Sequence, residues 1–303
     1  MVDGGWVARV QVTWRYRGFD ASVGRAEVAV TFGEGGATVD GVAPYGSTMP
    51  LWLTGPIAVR RDADSLVVTT GRRQPLDRYG RQAAEAVDTV REVLDRPVRL
   101  VVEVPASVDQ LNGAVGAEPG TYDAIAAVTA GLDGTFAPET PVHVFLNPAV
   151  FGGLEAVAAQ IVMTHEAVHV VTEAPLAQSA ELWLLEGFAD YVALRDTDLP
   201  LSRTAAQIVE RVRRQGVPET LPLRTEFDTR ASHLGAVYES AWLICVVLAE
   251  RGGEGALVDF YDAVVQGALL EDELERIFGW SVADLTRAWQ ARLADVAGVP
   301  TGG

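Results

Sequence analysis

The chain has 303 residues, 49% of them hydrophobic and 21% charged, a balance that describes a globular protein of one large or two smaller domains and excludes a disordered one. With 24 Lys and Arg against 41 Asp and Glu, the net charge is −17, which excludes nucleic acid as a partner and disfavours anionic membrane surfaces. The one cysteine, Cys245, rules out an intrachain disulfide and lies in an apolar helical run, where a thiol is expected to be an inert core group rather than a nucleophile.

Residues 1–78 read as β. Val10, Val12, Trp14 and Tyr16 alternate with Arg9, Gln11, Thr13 and Arg15, and Ala26, Val28, Val30 and Phe32 alternate with Arg25, Glu27, Ala29 and Thr31. Period two is the pattern of half-buried antiparallel strands. Gly33-Glu34-Gly35-Gly36 is a turn signal, and residues 65–69 form a further short strand. This region holds no catalytic cluster; it loosely resembles the small curved-sheet, NTF2-like accessory domains, with a scaffold or substrate-docking role. Arg72-Arg73-Gln74-Pro75 marks its end. A second domain is expected over 79–298, with 299–303 a frayed tail.

In that second domain, residues 79–94 predict an amphipathic helix, 98–104 a strand, 122–130 a helix and 142–146 a strand. The strand over 142–146 is a candidate edge for pairing with an extended peptide. His143, alternating with Val142 and Val144, reads as structural. Asn147-Pro148 is a helix start signal, and the proline-free apolar segment 149–171 follows it. After Pro175, residues 179–196 predict another helix. From Tyr238 onward the chain reads as helical, over 256–266, 271–278 and 282–296, and Ser281 with Asp284 forms a helix start.

The segment 149–171 carries His165-Glu166-Ala167-Val168-His169, an H-E-x-x-H pattern that uses two of only four histidines. On a helix, residues four apart lie about 40° apart on one face, one turn of rise from each other. Both imidazoles can then reach one metal ion, and Glu166 points beside it, where it can hold a water. The ordinary alternative is a pair of histidines satisfied by hydrogen bonds. It loses weight because the helix is apolar on most faces, and buried His, Glu and His need partners. On the next helix Glu186, sixteen residues separating it from His169, can complete a His-His-Glu site with a fourth position open for water. Asp190, one turn further, can accept the outer N–H of a ligand histidine and hold its tautomer.

HEAVH followed by LLEGFADYV resembles the gluzincin clan of zinc metallopeptidases, the thermolysin-like and aminopeptidase-like enzymes. The resemblance implies an α+β protein: a small antiparallel β-rich N-terminal domain, then a thermolysin-like, mainly helical zincin catalytic domain with an upper β-sheet. It implies Zn²⁺ held by His165, His169 and Glu186, Glu166 as general base and Asp190 behind the ligands. Tyr238-Glu239 resembles the Tyr-Glu-x-Gly phrase of the aminopeptidase branch, whose tyrosine stabilises the oxyanion. His233 is the competitor, because thermolysin-like enzymes use a histidine in a comparable role.

Two further resemblances fail. No Gly-x-Met-Glu-Asn strand precedes His165, and no H-x-x-G-x-x-H arrangement of the metzincins follows it. The expectation is therefore a zinc peptidase outside the standard aminopeptidase family, acting on peptide or protein. The alternative is an inactive or non-peptidase metal-binding protein, peptide-binding or chaperone-like, on the same scaffold. No signal peptide opens the chain and no apolar stretch is long enough to span a bilayer. A cytoplasmic location is expected if the chain is complete, and an extracytoplasmic one if an export or anchor segment has been trimmed.

Overall fold

The structure, a computed structural model, describes residues 5–71, 75–135, 137, 139–228 and 233–300. Arg72, Arg73 and Gln74 of the expected domain boundary, and the last three residues of the expected tail, lie outside the described residues. In chain order the elements are β1 (Trp6–Trp14), β2 (Gly24–Phe32), β3 (Val39–Pro44), β4 (Ile57–Arg61), β5 (Ser65–Thr70), α1 (Leu76–Leu94), β6 (Leu100–Val104), α2 (Val108–Val115), β7 (Ala127–Gly131) and β8 (Val142–Leu146). They continue with α3 (Pro148–Phe151), α4 (Ala156–Val171), α5 (Leu182–Leu194), α6 (Leu201–Thr204), α7 (Ala206–Gln215), α8 (Leu234–Gly252), α9 (Glu254–Val265), α10 (Leu270–Phe278) and α11 (Val282–Ala297). The chain divides into two compact units, one of residues 1–88 and 97–176, the other of residues 89–96 and 177–303.

The first unit contains both sheets. Strands β1, β2 and β3 form a three-stranded antiparallel sheet, and the period-two residues meet in register, Val10 opposite Val28 and Val12 opposite Ala26. The second sheet has the order β4-β5-β6-β8-β7, parallel at β5–β6 and β6–β8 and antiparallel at both ends. Because β4 and β5 pair into it, this sheet runs across position 78 of the sequence. Every residue of β5 and β6 is buried, as their near-continuous apolar runs require of strands covered on both faces. An antiparallel N-terminal sheet followed by a mainly helical remainder with an internal mixed sheet bears out the α+β expectation.

On one face of the mixed sheet, Tyr16 and Phe19 from the β1–β2 connection pack against Leu66, Val68 and Val101. On β6 and β8 the same face presents two polar groups, Glu103 and His143. His143 Nδ1 lies 2.9 Å from Glu103 Oε1, and its Nε2 lies 2.9 Å from Asp20 Oδ1 of that connection. The backbone N–H of Tyr16 donates to Asp20 Oδ2 at 2.6 Å, and the Tyr16 ring packs 5.4 Å from the imidazole. Burial pulls the His143 pKa down, but hydrogen bonds to Asp20 and Glu103 and their charges outweigh it, and the value is pushed up to about 9. His143 is therefore a structural imidazolium clamped between two carboxylates, as its place in the strand suggests.

Three expectations are corrected. Residues 122–130 do not form a helix: 122–126 are turn and bend, and 127–131 are strand β7. The alanines there suit a helix locally, but antiparallel pairing to β8 supplies backbone partners no local pattern reveals. As a consequence β8 is not an edge strand; it lies between β6 and β7, and β7 ends the sheet. The apolar segment 149–171 is two helices rather than one. Asn147 does start a helix, accepting the Ala149 N–H at 3.1 Å with Pro148 at the first position. It stops after one turn at Gly152-Gly153, each glycine costing about 1 kcal/mol in a helix interior, and α4 begins only after extended Glu155. Helices α2, α6 and α7 were not expected from the sequence.

The second unit is helical. Ser281 and Asp284 close a reciprocal capping box at the start of α11, as expected. Cys245 is fully buried in α8, and burial, with the Asp190 charge, raises its thiol pKa well above the ordinary value. Helix α5 approaches α8 at Gly187, where a Cβ would sit only 2.6 Å from the Ala241 carbonyl carbon and 3.1 Å from Cys245 Sγ. An exposed mid-helix Gly→Ala change stabilises by about 1 kcal/mol. Here overpacking reverses the sign, and Gly187→Ala is expected to destabilise by about 1–3 kcal/mol. A thermal melt checks this, and an unchanged or raised Tm would contradict the close approach.

Candidate metal centre

Helix α4 carries His165, Glu166 and His169 in its last two turns, with His169 and Glu166 buried and His165 half-buried. Four-residue spacing sets the two rings edge-to-face, 4.6 Å apart at 87°, with their Nε2 atoms 3.0 Å from each other. Glu186, half-buried, belongs to the second turn of α5. One donor atom from each of His165, His169 and Glu186 falls within 4.8 Å of the others.

This donor set fits a divalent metal ion. Two imidazole nitrogens aimed at each other at 3.0 Å present either two lone pairs or a lone pair and one N–H, and a cation between them satisfies both lone pairs at once. Tetrahedral zinc with bonds of about 2.0–2.1 Å holds its donors roughly 3.3–3.4 Å apart, a few tenths of an ångström more than the 3.0 Å between the two histidine nitrogens. Two nitrogens and one carboxylate oxygen leave one tetrahedral position for water or substrate.

Glu166 does not belong to the ligand cluster. The hydroxyl of Thr129, on β7, approaches its Oε2 at 2.6 Å and its backbone carbonyl oxygen at 3.2 Å, and so fixes the carboxylate against the edge strand. Tyr122 stands close enough for the Glu166 charge to act on it: burial first and that charge second hold the phenol protonated above its ordinary pKa. Neither Thr129 nor Tyr122 was singled out in the sequence. Their segment reads locally as helix, and only the pairing of β7 with β8 turns Thr129 toward α4. A hydrogen bond to a carboxylate contributes about 1.5–3 kcal/mol. If Glu166 acts as a base beside a metal ion held here, Thr129→Val is expected to lower kcat by roughly tenfold or more, with metal content unchanged, and Thr129→Ser to retain most activity. Equal kcat for the Val variant in steady-state kinetics would remove Thr129 from the site.

Asp190 sits on α5 one turn beyond Glu186, half-buried, and its charge reaches Cys245 and Glu239 on α8. Glu239 has a structural role: its carboxylate accepts the Ile208 N–H at 2.7 Å and caps the start of α7. Burial, more than any other cause, raises the Glu239 pKa. Tyr238, in the first turns of α8, is half-buried and packs edge-on to Phe227 at 5.6 Å. His233 is exposed at the start of α8 and lines a groove with Gln207, Glu210, Arg211 and Arg214 that contains none of the three ligand residues.

No protein-family model matches the chain, and no curated protein matches it. Among solved structures, it is similar to a mutant of a two-domain M1 zinc metallopeptidase bound to L-arginine, at TM-score 0.44 and 14% identity, covering 96% of this chain and 61% of that one. It is similar to a mutant M1 zinc metallopeptidase from Deinococcus radiodurans bound to a Tyr-Ser-Ala substrate, at TM-score 0.44 and 14% identity, covering 94% and 61%. It is also similar to the M1 zinc metallopeptidase of that organism, at TM-score 0.40 and 14% identity, covering 95% and 60%. The chain thus spans about 61% of the length of the first of these. What the chain itself presents is an α+β protein with a His-His-Glu cluster suited to a divalent metal ion.

Proposed function

We propose that this protein is a zinc-dependent peptidase of the gluzincin type. The observation that carries the reading is the convergence of one donor atom each from His165, His169 and Glu186 within 4.8 Å, with a restrained carboxylate, Glu166, next in sequence to the first of them. Bound there, Zn²⁺ supplies Lewis acidity and lowers the pKa of a coordinated water. Glu166 takes a proton from the attacking water and passes it to the leaving amine. Thr129 holds Glu166 in place for both transfers. Asp190 orients a ligand histidine through its outer N–H. Tyr238 donates to the developing oxyanion; His233 is the weaker candidate, because the groove it lines shares no residue with the ligand cluster. An extended peptide adds alongside β7, the end strand of the mixed sheet and the one that also carries Thr129. No helix among the described residues is long and apolar enough to cross a membrane.

Metal analysis paired with a mass-spectrometric peptide-library digest tests this. About one zinc per chain is expected, with cleavage lost on chelation and regained with zinc. Zinc-loaded protein that cleaves nothing in a broad library would overturn the peptidase reading and favour a peptide-binding role.

A further inference from the structure

Within the second unit lies a groove of about 470 Å³ that shares no residue with the ligand cluster. This is within the roughly 300–1,000 Å³ typical of ligand pockets. Buried Trp183 and Pro222 line it, and Leu223 and Leu269 stand on it at 58% and 70% exposure. Two leucines this exposed beside an apolar trough are surface that a covering ligand removes from water.

Among the described residues, the charged groups that line the groove are the carboxylates Glu181, Glu219, Glu271 and Asp272, all exposed. Arg224, next to Leu223, stands at its margin with its guanidinium donating to the carbonyl oxygens of Gln178 and Ala180. Glu271 and Asp272 have a local reason to be there, since they complement the helix dipole in the first turn of α10. Glu181, the N-cap residue of α5, has the same reason, and Glu219 has no helix start beside it in sequence. Glu181 precedes α5 without a side-chain capping bond, and Glu219 lies in the loop after α7. Four carboxylates around an apolar trough repel acidic peptides, nucleic acid and anionic lipid, and attract cations on a hydrophobic backbone. The groove also has a fixed relation to Glu186: Trp183 precedes it by three residues on α5, about 4.5 Å of rise and about 60° around the axis, hence on the same side of the helix.

We propose that this groove docks a basic, apolar stretch of the polypeptide substrate, with a large apolar side chain over Trp183 and Lys or Arg beside Glu181 and Glu219. This rests on the peptidase reading only in taking the docked segment to be substrate. The preferred substrates are then polypeptides in which Lys or Arg flank Leu or Phe.

Fluorescence anisotropy tests it on the full chain carrying Glu166→Gln, after chelation, with labelled hexapeptides alternating Lys with Leu or Glu with Leu. The Lys peptide is expected to bind and to weaken with salt, and the Glu peptide not to bind. Adding Glu181→Gln, Glu219→Gln and Leu269→Ser is expected to weaken the Lys peptide at least tenfold. In the otherwise unaltered protein those three changes leave the melting temperature and hydrolysis of short uncharged peptides as they were. Equal binding of both peptides, or undiminished binding by the triple variant, would overturn the proposal. Because binding is read without zinc or turnover, a failure of the peptidase reading leaves this result separately legible.

Discussion

Under the proposed zinc-peptidase function, Glu166→Gln is expected to keep zinc at the wild-type ratio and to lower kcat for peptide cleavage by at least about 10²–10⁴-fold, the range set by loss of a general base. The amide has the shape of the carboxylate, and its carbonyl oxygen can still accept the Thr129 hydroxyl that now sits 2.6 Å from Oε2. The fold and the cluster of His165, His169 and Glu186 are therefore undisturbed. What disappears is a group able to take a proton, since an amide does not. Single-turnover kinetics with matched metal analysis checks this, and a Gln variant as active as the wild type would sink the mechanism. Replacing a ligand has a different signature: Glu186→Ala is expected to lose metal and activity together, whereas Glu166→Gln separates them.

The second large effect belongs to the buried His143 cluster. Replacing His143 by Phe leaves Asp20 and Glu103 facing each other in a buried place with their shared cation gone. Breaking a buried ion pair in this way costs about 3–5 kcal/mol. The Tyr16 phenol, its pKa raised by burial and then by the charges of Glu103 and Asp20, cannot substitute, because it stays neutral. Adding Asp20→Asn and Glu103→Gln to His143→Phe is expected to recover part of the loss, since no uncompensated charge then remains. The wild-type protein should show the same interaction through pH. His143 has a folded pKa pushed up to about 9, against about 6.5 in an unfolded chain. A raised pKa means that the folded state holds the proton more tightly, so the stabilisation is complete below about pH 6.5 and fades as pH rises through about 9. Chemical denaturation across that window should show falling stability in the wild type and a flatter profile in the Phe variant. A wild type as stable at pH 9.5 as at pH 6 would contradict a charged His143.

Legibility followed the range of the interactions involved. The approach of His165 to His169, beside Glu166, was readable because four-residue spacing on one helix is local geometry. Strands β1, β2, β5 and β6 and helices α1, α5, α8, α9, α10 and α11 were readable from period or apolar run. Strand β7 was misread: its alanines suit a helix, and its partner β8 lies eleven or more residues further on at each paired position. The misreading carried through to the site. A helix over 122–130 would leave β8 at the edge of the sheet and would not place the Thr129 hydroxyl beside Glu166; strand β7 takes the edge and places that hydroxyl there. Gly187 was visible as part of a phrase, but its reason, contact with the Ala241 backbone, belongs to a helix more than fifty residues later.

By itself the sequence determined the chemistry on offer: two imidazoles and a carboxylate on one helix turn, a second carboxylate on the next helix, one cysteine too buried to react, and an acidic surface. These follow from residue type, spacing and burial pattern, which act over a few turns of chain. Only the tertiary structure decided which groups meet. It brought a donor atom of Glu186 within 4.8 Å of those of His165 and His169, made β7 rather than β8 the edge, turned Thr129 onto Glu166 and closed Asp20 and Glu103 around His143. The physical reason is common to all four: contacts between distant residues depend on sheet order and helix packing, and no local periodicity encodes those.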